Sequence, residues 1–164
     1  MVLDDGRELS FSFDEMLKYH GGGSPGGVAH AFKVLERALP LLEPDGGVER
    51  HELFIATAFG GPGARDGLEL VTRAVTEERL IIDRSLARPE HGRARERFVF
   101  HLRYRERAVV LMLRDGFVTE EFIDLTRRDR SGEEERQLTA MKADMASRVM
   151  AAAATAVYEV TSSR

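Results

Sequence analysis

His20, Ser24 and Asp66 are the side chains of this sequence best suited to chemistry. Together they supply a hydroxyl, an imidazole and a carboxylate, the three types of a Ser-His-Asp triad, although a triad is defined by geometry and not by presence. His20 and Ser24 lie in one glycine-rich stretch, Tyr19-His20-Gly21-Gly22-Gly23-Ser24-Pro25-Gly26-Gly27. Asp66 closes a second, Gly60-Gly61-Pro62-Gly63-Ala64-Arg65-Asp66. In the first stretch Pro25 falls where a helix would begin, and a missing N–H costs nothing there. The expectation is that Ser24 caps this helix through its hydroxyl. Asp66 suits the positive first turn of a second helix. Both side chains therefore have a structural explanation as well as a chemical one. Bare glycine amides at a positive helix end also make an anion site, and without Cβ atoms the backbone is open to close approach.

The two stretches resemble the signature of the E-type subunit family of formylmethanofuran dehydrogenase. The family pattern H-G-H-x-C-P-G before a helix is matched here by His20, Gly21, Pro25 and Gly26, with Gly22 for the second His and Ser24 for the Cys. The pattern D-x-C-A-x-D-A is matched by Ala64 and Asp66, with Gly61 and Gly63 for the Asp and the Cys. The resemblance covers roughly Phe11 to Phe117. It implies an α+β fold, a dimer and a metal-associated site that pairs the two loops. The metal chemistry is not expected to survive. A thiolate at a helix start is a strong nucleophile and soft-metal ligand, whereas a serine hydroxyl stays protonated unless a base activates it. His20 and Asp66 alone are too few for a closed zinc site. No metal and no cofactor is therefore expected. The expected ligand-binding residues are His20, Gly22, Ser24, Gly26, Gly63, Arg65 and Asp66, with His20 the candidate catalytic group. Their ligand would be small and anionic or carbonyl-bearing, held between two glycine-rich helix starts.

The 164 residues suit one domain, 1–164, and 43% of them are hydrophobic, enough for a core. There is no cysteine, which excludes disulfides and thiolate catalysis. The net charge of −4 argues against a general nucleic-acid binder. No apolar run approaches membrane-spanning length and Met1–Arg7 carries no signal pattern, so a cytoplasmic protein is expected. Arg84 to Arg107 holds eight arginines against three acids, interleaved with Phe98, Phe100 and Tyr104. This stretch is read as a hairpin edge protected by charge, with single-stranded nucleic acid as the lesser reading. Of the other histidines, His30, His51, His91 and His101 show no metal spacing, and His30 beside the apolar face of its helix is read as structural.

These residues must be positioned by an order of elements that the patterning supplies. Ser12-Phe13-Asp14-Glu15 is a capping box that opens a helix to about Tyr19. Val28, Ala31, Phe32, Leu35, Ala38, Leu39 and Leu42 recur on one helical face over Pro25–Leu42. His51–Phe59 reads as a strand apolar on both faces, central to the sheet. A helix follows Gly63, with Leu68, Val71 and Val75 inward. Leu80–Ile82 is a short strand. Phe98–Tyr104 and Ala108–Leu113 form a hairpin. Thr119 caps a helix to about Arg128. Ser131-Gly132-Glu133-Glu134 opens a long helix to Ala154, with Leu138, Met141, Met145 and Val149 on one face. Tyr158–Val160 is a last strand or frayed helix. The fold class is α+β, a mostly antiparallel sheet with a central hairpin packed by several helices. The apolar strand and the Met-rich helix face lead to an expected homodimer. Three functions fit: a small-ligand-binding domain, a hydrolase or transferase with His20 as general base, and a non-catalytic structural subunit.

Overall fold

A computed structural model describes residues 1–163. The capping signals act as their chemistry demands at three helix starts. Ser12 opens α1 (Phe13–His20), its hydroxyl accepting from the Glu15 amide while the Glu15 carboxylate accepts from the Ser12 amide. Before it stands a hairpin of β1 (Val2–Asp4) and β2 (Arg7–Leu9), turned at Asp5-Gly6, where both residues have positive φ. No expectation covered this hairpin. Asp4 anchors it, accepting from Arg50 Nε at 2.7 Å and from His51 Nε2 at 2.8 Å.

The core helix is α2 (Pro25–Leu42). Its Val28, Ala31, Val34, Leu35, Ala38 and Leu42 are all buried. Full burial of each Val or Leu contributes on the order of 1.5–3 kcal/mol. The chain continues through β3 (Leu53–Thr57), α3 (Pro62–Thr72), β4 (Leu80–Ile82), β5 (Val99–Tyr104), β6 (Arg107–Leu113), α4 (Glu120–Thr126), α5 (Gly132–Ala151), α6 (Ala154–Val157) and β7 (Tyr158–Ser163). Thr119 caps α4 by accepting from the Phe122 amide, and Ser131 with Glu134 forms a capping box on α5.

Five strands make one sheet in the order β4-β3-β5-β6-β7. β3 and β4 are parallel, joined through α3, and every other pairing is antiparallel. The fold is α+β with a mostly antiparallel sheet, and the β5–β6 hairpin occupies its middle. Register puts Ile55, Leu102 and Val109 side by side, and likewise Thr57, Phe100 and Leu111, on the face that α2 covers.

Expectations about β3 and α5 need correction here. β3 is shorter than expected and is not central, since β5 holds the middle. Its outer face is not covered within the chain: Phe54 is 40% exposed, beneath the Arg103 guanidinium at 4.4 Å from its ring. The Met-rich face of α5 packs inside the chain, with Leu138, Met145 and Val149 buried and Met145 seated against α2 at Gly26. α5 also stops at Ala151, and a separate turn, α6, carries the chain into β7. His51 precedes β3 in a 3-10 turn rather than opening it.

Candidate functional site

The two glycine-rich loops meet. A Cβ placed on Gly27 would lie 3.0 Å from the Ala64 nitrogen and 3.2 Å from Gly63 Cα. One on Gly63 would overlap the Ser24 carbonyl oxygen and come within 3.0 Å of the Val28 nitrogen. One on Gly26 would lie 2.8 Å from Met145 Sδ. Gly27 and Gly63 therefore let α2 and α3 meet backbone to backbone, and Gly26 lets the Met145 side chain of α5 seat against α2. On the Cβ side of each glycine the space is taken up by the neighbouring helix.

A hydrogen bond links the loops as well. His20 ends α1 with its side chain only 8% exposed, and its Nδ1 lies 2.8 Å from Asp66 Oδ2 on α3. A carboxylate can only accept, so Nδ1 carries the proton. His20 Nε2 is buried and has no partner. Gly23 stands beside it, at a distance that would put a Cβ 3.9 Å away. Ser24 makes no side-chain cap, against expectation, because its backbone (φ −146°, ψ 62°) departs from the extended geometry of the Ser12, Thr119 and Ser131 caps. Nor does Ser24 bond to His20, so the His-Asp half of a triad is assembled and the nucleophile half is not. Arg65 is turned outward, its side chain 53% exposed and its Nη1 4.0 Å from Asp66 Oδ1. Gly22 is exposed, with open space where a Cβ would stand.

A cavity of about 450 Å³ opens beside the paired helix starts. Ser24, Gly26, Gly27 and Gly63 form part of its wall; His20, Gly22, Arg65 and Asp66 do not. The first-turn amides of a helix have no acceptor within it, and Gly26, Gly27 and Gly63, from the first turns of α2 and α3, are among the residues of this wall. Six cationic side chains also line it, Arg84, Arg93, Arg97, Arg127, Arg130 and Lys142, and no carboxylate does. Acids behind the wall hold several of them. Asp124 pairs with Arg93, Glu96 with Arg97 and Arg127, and Glu135 with Arg130. Lys142 donates to the Gly23 carbonyl at 3.0 Å. Among the described residues Arg84 has no ion-pair partner, and Arg97 stands 3.9 Å from its acid.

The rest of the wall is apolar, with Phe59 and Phe98 stacked at 4.2 Å between ring centres and Phe122, Leu138 and Met145 around them. His30 on α2 completes it. His30 is wholly buried, and burial, aided by the Arg148 charge, pushes its pKa down to about 3. It is therefore neutral in ordinary buffers. Its Nδ1 lies 2.8 Å from the Tyr158 hydroxyl and its Nε2 has no partner.

Sequence reading placed His30 among structural residues and the arginines on a solvated hairpin edge. Only Arg103, Arg105 and Arg107 of that stretch lie on the β5–β6 hairpin; Arg84, Arg93 and Arg97 belong to the loop before it and face the cavity. The signal available was the Arg84–Arg97 charge run, without anything to say which wall it would join. Among the described residues no three His, Asp or Glu side chains group as a metal site. Among the described residues no helix is long and apolar enough to cross a membrane. No family model matches the chain, and comparison with curated proteins finds no match.

Proposed function

We propose that this chain is a small-ligand-binding domain whose cavity, beside the starts of α2 and α3, takes an anionic ligand. One observation carries the reading: six cationic side chains and residues from two helix starts line a cavity with no carboxylate in its wall. Both features favour negative charge in the same place. The cavity volume suits a small organic molecule. The resemblance to the E-type subunit family of formylmethanofuran dehydrogenase adds the pairing of the two loops and nothing about the ligand. Calorimetric titration with inorganic phosphate in low salt tests the reading. Binding is expected, and an Arg84→Ala/Arg97→Ala variant should lose about tenfold or more in affinity, since charge-assisted hydrogen bonds contribute about 1.5–3 kcal/mol each. Absence of heat at millimolar phosphate would end it.

The hydrolase or transferase reading, with His20 as general base, is favoured by the Asp66–His20 bond alone. His20 stands outside the cavity wall, so we assign it to joining α1 to α3. His20→Asn should then cost about 1–2 kcal/mol of stability in denaturant unfolding and leave phosphate affinity within twofold. An affinity change of tenfold in a variant that remains folded would return His20 to the site. The homodimer remains a proposal resting on the outer face of the sheet, where Phe54, Ile81 and Ile82 are exposed. A single-chain mass in light scattering at micromolar concentration would remove it.

A further inference from the structure

We infer that the ligand of this cavity is an amphipathic anion, a single acid group on an apolar body. The inference rests on the anion-binding reading above and goes on to name the ligand class. It starts from the side chains of the wall that keep open surface. Phe59, Phe122 and Ile123 line the cavity, and each is half-buried and packed against the core. Cations of the same wall are open as well, with Arg84, Arg93 and Arg127 exposed. Ile123 and Arg127 stand four residues apart at the end of α4, a spacing that puts them on one side of the helix. Apolar and cationic surface therefore meet in one cavity of about 450 Å³.

The ligand has both surfaces to answer. An inorganic ion would meet the cations and leave Phe59, Phe122 and Ile123 against water, forgoing the apolar burial on which small-molecule sites depend. A neutral apolar molecule would cover those three and take water from neighbouring cations without pairing them. An acid group on an apolar body serves both. The charge on offer is limited. Asp124, Glu96 and Glu135 already pair with arginines of the wall, Glu96 with two of them, and among the described residues Arg84 has no acid partner. One acid group matches that surplus, and a guanidinium can meet a carboxylate through two parallel hydrogen bonds.

The test is calorimetric titration of the intact chain in low salt with butanoate, hexanoate, octanoate, octanedioate, 1-octanol and inorganic phosphate. Each two-carbon step from butanoate to octanoate should tighten binding about tenfold or more, since one buried methylene is worth about fourfold. 1-Octanol lacks the charge, and octanedioate carries a second one that would meet the apolar wall. Each should bind about tenfold more weakly than octanoate. Phe122→Ala should flatten the dependence on chain length. Because that variant touches a side chain packed on the core, wild-type protein supplies a second readout. Intermolecular NOEs should join the octanoate chain to Phe122 and Ile123. Equal affinity for the three alkanoates, or 1-octanol or octanedioate binding as tightly as octanoate, overturns the inference. So do NOEs to Phe54 and Ile81 in place of Phe122 and Ile123. Phosphate binding without any alkanoate overturns it and leaves the anion site standing. Failure of every probe removes both.

Discussion

At the scale of residues, His30 makes the sharpest claim. Its pKa falls to about 3 on folding, from an unperturbed value near 6.5 in the unfolded chain. Between those values the unfolded chain binds a proton that the folded chain refuses. Stability therefore falls as pH falls from about 6.5 toward 3, by about 1.4 kcal/mol per pH unit from this group. Carboxylates with lowered pKa values, such as Asp4 held by His51 and Arg50, push the same way at lower pH. Urea unfolding of wild type and His30→Gln at pH 7.0, 5.5 and 4.5 isolates the histidine, and the variant should lack the extra slope. Gly63 makes a second claim. Gly63→Ala would drive a methyl into the Ser24 carbonyl, and overpacking against backbone should cost about 2–3 kcal/mol or more. Gly22→Ala meets open space and should stay within about 0.5 kcal/mol of wild type in the same unfolding assay.

At the scale of elements, Ser24 and Ser131 stand at comparable helix starts and should behave differently. Ser131→Ala removes the hydroxyl that accepts from the Glu134 amide, leaving the backbone half of the capping box, and should cost about 1 kcal/mol in thermal or urea unfolding. Ser24→Ala removes no cap and should cost less than about 0.5 kcal/mol. The contrast also shows where the sequence was legible. Ser12, Thr119 and Ser131 announced their helices because a cap is a local event, decided within four residues. Ser24 carried the same letters, but backbone contact between α2 and α3 set its dihedrals instead. The strand pattern erred for a related reason. Leu53–Phe59 is apolar at every position but Thr57, and periodicity cannot say whether a second layer covers the far face; here Arg103 shields part of it. The loop pairing was readable as glycine, His and Asp. The cavity wall was not, because Arg84, Arg127 and Lys142 approach it from distant segments with no shared spacing.

At the scale of the whole molecule, the cavity exists because α2 is held from three sides. The α2-covered face of the sheet, α3 and α5 each pack on it, and α4 with the Arg84–Arg97 loop brings charge to the side left open. The opposite end of the domain offers a contrasting cleft, lined by Glu43, Asp45, Glu49 and Glu52 with a single cation, Arg105, which is paired with Glu52. An anion should distinguish the two ends without any assumption about its chemistry beyond charge. Backbone amide NMR mapping of an inorganic phosphate titration is the most direct measurement of that kind. The account predicts saturable shifts centred on Gly26, Gly27 and Gly63, with the acidic cleft unmoved. Shifts centred on the acidic cleft, or scattered over the surface without saturation, would contradict it.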